Sequence, residues 1–285
     1  MRFHDPTLRR LAAGLLAAAL AAATSGCATS GTAASASGRG VRAMPERPRT
    51  SATAEPTLDQ RRARMHYQLA IDRMRQDRNP EALAELLQAV RLDPTDTRIR
   101  LALAEAYRRA NRVVEAEQHL RAAVELDPNF HDAHLSLSGL YIQLERYEEA
   151  IVHARRLLDD PTFPSPWRAL TNLGWAEYRL GRLDEAARHL QLAVDFRPGY
   201  WPARLNLGIL SAERGERERA IEHFERVLAE NPGPMAEAEA RYRLAELYVA
   251  MGDKRRAIAQ LHKASDLRPG GTWARRSAEY LQTLQ

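Results

Sequence analysis

The sequence has little of the chemistry on which most functional sites are built. Its 285 residues include one cysteine and two lysines, and only 6% of them are aromatic. A single cysteine cannot close an intrachain disulfide, and it supplies too few thiolates for a zinc finger. No segment shows convincing strand alternation, so no glycine-rich phosphate loop following a strand is predicted. These absences exclude a disulfide scaffold and argue against a zinc module or a nucleotide-binding enzyme.

The positive charge lies mostly outside the main part of the chain. The formal net charge is +5, yet residues 57–285 contain 35 basic and 34 acidic residues. A domain with balanced charge has no broad basic surface for phosphate groups. Nucleic acid is therefore not predicted as a partner.

The N-terminal segment has the layout of an export signal. Arg9 and Arg10 precede an apolar run over residues 11–23, which is too short for a stable membrane span. The small residues before Cys27 resemble a bacterial lipobox, in which the thiol is lipidated and becomes the mature N-terminus. We predict a lipoprotein-type signal peptide over residues 1–26 and a lipid anchor on Cys27. The alternative is cleavage near Ala23, which gives a soluble periplasmic protein.

Residues 27–56 are predicted to form a disordered tether. They are rich in Ala, Ser, Gly, Pro and Arg, and only Val41 and Met44 are large and apolar. A flexible chain of this length reaches about 30 Å. Ala28, in place of Asp after the cysteine, resembles the sorting pattern for the outer membrane. We therefore expect a lipid-anchored protein on the periplasmic face of that membrane, with a folded domain over residues 57–285.

The folded part repeats with a period of 34 residues. Pro94 and Pro128 are 34 residues apart, as are Pro198 and Pro232, and Pro269 closes the series. Counting each proline as position 32, position 20 is always alanine, position 7 is always leucine and position 8 is always small. The pattern resembles the tetratricopeptide repeat, a helix–turn–helix unit of this length. The fold class predicted is an all-α, right-handed α-solenoid of six hairpins over about residues 63–96, 97–130, 131–164, 167–200, 201–234 and 238–271.

Each repeated position has a physical reason. Small residues at positions 8 and 20 let the two helices of a hairpin approach closely, and the leucine at position 7 fills the space between them. Gly181, Gly215 and Gly252 stand at position 15, where a left-handed residue ends the first helix (helix A), and Asn111 stands there in the second repeat. Proline at position 32 cannot continue the second helix (helix B).

Two segments depart from the repeat. Pro161, Pro164 and Pro166 forbid a continuous helix between the third and fourth repeats, and we predict a stiff joint there that re-aims the last three hairpins. Residues 273–284 place Trp273 and Leu281 on one helical face. This segment is predicted to be the helix that caps the last apolar edge of the array.

Four histidines occupy position 23 of successive repeats. They are His119, His153, His189 and His223. Equivalent helices of successive repeats lie more than about 8–10 Å apart, whereas zinc needs its nitrogens at about 2 Å. We therefore predict packing between helices and no metal site, and no cofactor is implied elsewhere. No Ser–His–acid arrangement can be singled out, so no catalytic residue is predicted and the protein is not expected to be an enzyme.

The resemblance to tetratricopeptide arrays implies a binding groove. In such arrays helix A lines a concave surface through positions 2, 5, 6, 9, 12 and 13, and asparagine at position 6 holds a peptide backbone in some members. The residues at these positions form the predicted partner-binding groove: Tyr67, Leu101, Arg108, Leu135, Arg168, Thr171, Asn172, Trp175, Tyr178, Leu205, Asn206 and Ile209. Packing against adjacent helices is the alternative role for the aromatic and asparagine side chains. The Lys and Asn pattern of chaperone-binding arrays is missing.

The whole construction resembles the pilotin family of type IV pilus systems (PilF/PilW/Tgl). The most similar stretch is residues 147–186, in which an "NLG" core follows the proline-marked break. The resemblance implies a lipoprotein that helps an outer-membrane secretin reach its membrane and multimerise. The alternative is a general periplasmic adaptor for peptidoglycan hydrolases or for the assembly of outer-membrane proteins.

Overall fold

The computed structural model describes residues 55–284, and within them the chain is entirely helical apart from turns. The helices follow the chain in the order α1 (Leu58–Arg75), α2 (Asn79–Leu92), α3 (Thr97–Arg109), α4 (Val113–Leu126), α5 (His131–Gln143), α6 (Tyr147–Leu158), α7 (Pro166–Arg179), α8 (Leu183–Phe196), α9 (Trp201–Glu213), α10 (Arg217–Ala229), α11 (Pro234–Ala250), α12 (Lys254–Leu267) and α13 (Thr272–Leu284). Odd-numbered helices up to α11 are helix A of a pair, and even-numbered helices are helix B. Each pair packs on the next, which confirms the predicted solenoid of six hairpins and a final helix.

The small residues hold the two helices of each pair in close contact. All six alanines at position 20 are buried, at 0% or 1% exposure. A Cβ atom added to Gly174 would lie 2.7 Å from Cγ of Leu190, and one added to Gly208 would lie 2.6 Å from Cε1 of Phe224. In the third repeat Ser138 instead contacts the backbone of helix B, because its hydroxyl donates to the carbonyl of Ala150 at 3.0 Å. Position 8 is therefore small because a helix B side chain occupies the space beside it.

The turn at position 15 is left-handed in every repeat. Gly181, Gly215 and Gly252 have φ between 77° and 79°, and Asn111 has φ of 58°. Asp77 and Glu145 occupy the same position in the first and third repeats with φ of 59° and 58°. The prediction for glycine and asparagine is confirmed. Aspartate also adopts this conformation, whereas Glu145 shows that the turn geometry is kept even where the side chain disfavours it.

The leucine at position 7 is buried in every repeat except the first. Leu103, Leu137, Leu173 and Leu244 are at most 1% exposed, whereas Leu69 is 41% exposed. The later leucines lie on helices that have a preceding pair stacked against them. No described residue precedes α1 in the array, so the prediction that Leu69 fills a space between helices is wrong for this repeat.

The joint between α6 and α7 is closed by Phe163. This side chain is 7% exposed and packs in a cluster with Leu135, Leu157 and Ala169, which belong to α5, α6 and α7. No helix spans residues 159–165, as the prolines predict. That the joint re-aims the last three pairs stays a prediction.

Asp160 fixes the joint to the start of α5. Its Oδ1 accepts hydrogen bonds from the backbone and the hydroxyl of Thr162 at 2.8 and 2.7 Å, and its Oδ2 lies 2.8 Å from Nε2 of His131. These bonds, from Thr162 first and then from His131, hold the pKa of Asp160 well below its usual range. The segment is therefore an ordered connection in which the carboxylate serves as the common acceptor.

A capping residue begins the array, and the predicted capping helix ends it. Thr57 caps α1, because Gln60 donates its backbone N–H to the Thr57 hydroxyl at 3.2 Å and accepts from the Thr57 N–H at 3.0 Å. At the other end α13 packs against α12 and α11, with Leu281 in the core of the last pairs. No helix among residues 55–284 has the length and apolar content to cross a bilayer. The predicted signal peptide, the lipidation of Cys27 and most of the predicted tether lie outside the described residues.

Candidate functional site

The surface formed by α1, α3, α5, α7, α9 and α11, here called the helix-A face, contains two cavities. The first cavity has a volume of about 330 Å³ and lies mainly between α3 and α5. Ala104, Leu120 and Leu140 form its apolar floor and are nearly or fully buried. Its other lining residues are Leu101, Glu105, Arg108, Ala116, Ser136, Gly139, Gln143 and Arg168. An opening of this kind accepts one apolar side chain with polar groups around it.

The rim of the first cavity is mostly basic. Glu105 accepts hydrogen bonds from Arg108 at 2.9 and 3.0 Å and from Arg109 at 2.9 Å. Burial acts to raise the pKa of Glu105, but these bonds outweigh it and lower the pKa. Because one carboxylate is shared between two guanidinium groups, and Arg168 is also exposed at this rim, the rim has a surplus of positive charge.

The second cavity lies between α7, α9 and α11 and has a volume of about 250 Å³. Ile209, Phe224 and Leu247 give it an apolar floor, and the remaining lining residues are Tyr178, Ala212, Glu213, Arg243 and Glu246. Burial, followed by the neighbouring Glu213 carboxylate, raises the pKa of Tyr178 to about 12. The phenol therefore stays protonated beside the Glu213 carboxylate.

Charge at the second cavity is more balanced than at the first. Burial raises the pKa of Glu246, although the charge of Arg243 opposes the shift. Arg243 lies 3.6 Å from Glu246 and 3.6 Å from Glu239, and it stacks over the ring of Trp273 with a separation of 5.2 Å. The position of Arg243 is thus fixed from three sides. The acidic side chain at this rim that is most accessible to a partner is the exposed Glu213.

Trp175 and Tyr178 form an aromatic pair beside the second cavity. Their ring centroids are 5.0 Å apart and the rings are tilted by 33°. Both side chains are half-buried and pack against the core of the last two pairs, near Leu205 and Ile209. Each ring therefore has one side in the core and another facing outward, so packing and partner binding are compatible roles.

The structure divides the predicted groove residues into four groups. Leu101, Arg108 and Arg168 meet at the first cavity, while Tyr178 and Ile209 meet at the second. The third group is half-buried on the first helices of the pairs, outside the cavity linings: Tyr67, Asn172, Trp175 and Asn206. The fourth group is buried at 6–8% exposure: Leu135, Thr171 and Leu205.

Two of these buried side chains make contacts inside the array. Leu135 packs with Phe163 from the joint. The Thr171 hydroxyl donates to the carbonyl of Trp167 in its own helix at 2.7 Å. Neither side chain offers a partner much surface or a free polar atom.

Several residues that line the cavities are not among the predicted groove residues, although they stand at repeat positions that the prediction uses. Glu105, Gly139 and Glu246 occupy position 9 of their repeats, Ser136 and Arg243 occupy position 6, and all line a cavity. The signal for them was the positional rule itself, because positions 6 and 9 face the same way in each helix A. Their small or charged side chains gave no separate indication of a site.

Three of the four histidines at position 23 contact helix A of their own repeats. His119 stacks on Tyr107 with ring centroids 5.5 Å apart, and Nδ1 of His189 lies 2.6 Å from Oε2 of the fully buried Glu177. Nδ1 of His153 lies 2.9 Å from Nδ1 of His134. Within residues 55–284 no group of three or more His, Cys, Asp or Glu side chains is placed to hold a metal ion.

The hydrogen-bond partners of the His134–His153 pair determine its protonation. Nε2 of His134 lies 3.1 Å from the carbonyl of Pro128, which can only accept. The proton of neutral His134 is therefore on Nε2, and its Nδ1 accepts from the N–H of His153. Burial, and then the neighbouring His134, lower the pKa of His153 to about 4. The pair is neutral at pH 7.

Two family models match the chain, and both describe the tetratricopeptide repeat. One matches residues 67–129 and 135–200, and the other matches residues 177–233 and 211–275. Together they cover most of the described residues. No curated protein matches the chain in sequence.

Solved structures of other repeat proteins have the same fold. PilW, described as a widely conserved type IV pilus biogenesis factor, is 21% identical, with a TM-score of 0.67 over 76% of this chain and 98% of PilW. PilF of Pseudomonas aeruginosa is 17% identical, with a TM-score of 0.64 over 78% and 99% of the two chains. A tetratricopeptide repeat protein of Parabacteroides merdae is 22% identical, with a TM-score of 0.64 over 78% and 84%. At such identities the likeness shows the fold alone.

Proposed function

Because this chain belongs to the tetratricopeptide repeat family, whose fold serves protein interaction, we propose that it is a non-enzymatic scaffold of the cell envelope that binds an extended partner segment along its helix-A face. The observation that carries the proposal is the pair of cavities on that one face, each with an apolar floor and a charged rim. A segment lying along the face would place one apolar side chain in each cavity.

The two rims give the partner a direction. The surplus of arginine at the first cavity favours an acidic side chain near the first anchor. The exposed Glu213 and the aromatic pair at the second cavity favour a basic or amide group there, because a cation gains from both the carboxylate and the ring faces. Asn172 and Asn206, at position 6 of successive repeats, are suited to hold the partner's backbone between the anchors.

The partner we propose is an outer-membrane secretin, so that the protein acts as a pilotin in type IV pilus assembly, anchored through a lipid on Cys27. The sequence resemblance over residues 147–186 supports this role, and the similarity of fold to PilW and PilF along nearly their whole length is consistent with it. The alternative is an adaptor for peptidoglycan hydrolases or for outer-membrane protein assembly, which the same face could serve.

Deletion of the gene tests the specific role. In the deletion strain the secretin is expected to run as a monomer in heated gel samples, and re-expression of the full chain is expected to restore the heat-resistant multimer. Unchanged multimers in the deletion strain would reject the pilotin role. A Cys27→Ser chain tests the anchor, because loss of fatty-acid labelling together with loss of multimers is the result expected if the lipid is attached there.

Site-specific crosslinking tests the binding face independently of the partner's identity. Photoreactive residues at Gln143 in the first cavity, at Glu213 in the second and at Asn206 between them are expected to capture the same partner in membranes. A matched probe at Val152, which is 64% exposed on α6, serves as the control and is expected to capture nothing. Capture of a hydrolase in place of a secretin selects the adaptor role, and equal capture at Val152 contradicts the binding face.

A further inference from the structure

The outer face of α1 carries an apolar stripe that no described residue covers. Leu58, Met65 and Leu69 are 58%, 62% and 41% exposed. They are separated by seven and four residues, and a helix turns about 100° per residue, so all three point within about 40° of one another. Three large apolar side chains in line on a single exposed face are unusual for a helix in water.

The stripe is the counterpart of a surface that is buried elsewhere in the array. Position 7, occupied here by Leu69, is buried in each later repeat, whose first helix packs against the preceding pair. The opposite end of the array is finished differently, because the outward side of α13 presents exposed polar residues such as Arg275, Glu279 and Gln282. A terminal unit with a polar outer face is the usual way to end such an array in water. The outer face of helix α1 lacks such a polar surface.

The stripe is surrounded mainly by positive charge. Arg61, Arg62 and Arg64 are exposed on the same helix, and the two acidic residues of α1 near the stripe are paired with arginines, Asp59 with Arg62 at 3.7 Å and Asp72 with Arg75 at 3.2 Å. Arg61 and Arg64 have no ion-pair partner among the described residues. An exposed apolar stripe with arginines beside it, on a helix whose opposite face packs in the protein core, is typical of a helix that lies in a membrane interface.

We propose that the outer face of α1 docks on an anionic phospholipid leaflet, with Leu58, Met65 and Leu69 entering the headgroup region and Arg61 and Arg64 contacting the phosphates. A second copy of the chain is a poorer occupant, because two α1 faces in contact would bring their arginines together, and the polar outer side of α13 does not match the stripe. This docking uses a different surface from the helix-A face, and it holds whether or not Cys27 is acylated.

The test uses the full chain with Cys27→Ser, into which a single thiol is introduced as Met65→Cys and labelled with a polarity-sensitive fluorophore. A matched variant carries the label at Met235, which is 60% exposed at the N-terminus of α11. Vesicles of an equal mixture of phosphatidylcholine and phosphatidylglycerol are compared with vesicles of phosphatidylcholine alone. Residues 1–26 are retained, so the readout is the environment of each label and not sedimentation of the chain.

The expected result is a blue shift, and quenching by brominated acyl chains, for the label at position 65 on anionic vesicles only. The label at position 235 should be unchanged. Solvent-like emission from position 65 on anionic vesicles overturns the proposal. The proposal is also overturned if the label at position 65 is already shielded from water without vesicles. If that shielding increases with protein concentration, a second copy of the chain covers the stripe. If it is independent of protein concentration, another part of the same chain covers it.

The arginines supply a second, independent measurement. Arg61→Gln with Arg64→Gln is expected to lower the docking equilibrium constant about fivefold per arginine removed, the effect of one basic side chain at an anionic surface. Arg255→Gln with Arg275→Gln removes the same charge from exposed sites at the other end of the array, and it is expected to leave docking unchanged. Equal loss in both double variants would show a response to net charge and would contradict a specific docking face.

Discussion

Replacing Gly208 by alanine should destabilise the fifth repeat through a single steric contact. The added Cβ atom would lie 2.6 Å from Cε1 of Phe224, a ring that is completely buried. Overpacking of this kind costs about 1–3 kcal/mol, and the better helix propensity of alanine returns about 1 kcal/mol. The difference is about 0–2 kcal/mol, and because the added Cβ atom would lie far inside van der Waals contact of a completely buried ring, we expect the upper half of that range, a net loss of about 1–2 kcal/mol in the free energy of unfolding.

The other repeats indicate how the contact can be relieved. Positions 8 and 24 hold Ala104 with Leu120 in the second repeat and Ala245 with Leu261 in the sixth. Phenylalanine at position 24 occurs only in this repeat and beside glycine, whereas leucine at position 24 occurs beside alanine in three repeats and beside glycine in the fourth, as Gly174 with Leu190. Leucine at position 24 is therefore compatible with alanine at position 8. Phe224→Leu in the Gly208→Ala background should therefore recover stability, with a coupling energy of about 1 kcal/mol between the two sites.

Urea unfolding followed by circular dichroism gives the free energy of unfolding of the four proteins in this double-mutant cycle: the parent, the two single variants and the double variant. Gly139→Ala is the matched control, since nothing lies within 4 Å of its added Cβ, and it should stabilise the chain by about 0.5–1 kcal/mol. Strictly additive effects of Gly208→Ala and Phe224→Leu, or a Gly208→Ala chain as stable as the parent, would refute the steric explanation. The Phe224 ring also lines the second cavity, so Gly208→Ala should weaken partner capture at Glu213.

Three further predictions concern protonation, a turn and a helix cap. Since the pKa of His153 is lowered to about 4, its contribution to stability is complete above the unfolded pKa of about 6.5 and is lost as pH falls toward the folded value. The free energy of unfolding measured by urea titration should therefore drop by about 1 kcal/mol between pH 7 and pH 5 on account of this residue. His153→Gln should reduce this pH dependence, whereas an unchanged pH dependence would contradict burial beside His134 as the cause. Glu145→Gly should raise the thermal midpoint, since it relieves a left-handed residue at a gain of about 1 kcal/mol, and a lowered midpoint would mean that the Arg179 ion pair matters more. Thr57→Ala should cost about 1 kcal/mol and increase hydrogen exchange in the first turn of α1, and unchanged exchange there would show that the capping box contributes nothing.

The sequence predicts the fold well because the repeated positions each have one steric or conformational cause. Alanine at position 20, a small residue at position 8 and proline at position 32 fix where the helices touch and where they end. The left-handed turn at Glu145 could not be predicted from residue type, because glutamate is not typical of that conformation. Aspartate does adopt it, but Asp77 alone does not indicate a turn, and both turns follow from the register of the neighbouring repeats.

The candidate site was predictable by position and less so by exposure. The rule of positions 2, 5, 6, 9, 12 and 13 selects side chains that line both cavities. It does not say how closely neighbouring pairs approach. Leu135 is buried because Phe163 folds back from the joint, and Leu69 is exposed because α1 has no described neighbour on that side. Both outcomes depend on non-repeating parts of the chain, which a periodic pattern does not describe.

The placement of Arg168 has a mechanical consequence for the array. This residue follows the proline segment, yet it lines a cavity whose other walls come from α3, α4 and α5 before it. A ligand bound there contacts helices on both sides of the proline segment and so restrains the segment. By thermodynamic reciprocity, any change that stabilises the ordered conformation of this segment should increase the affinity for the ligand by the same free energy by which the ligand stabilises that conformation.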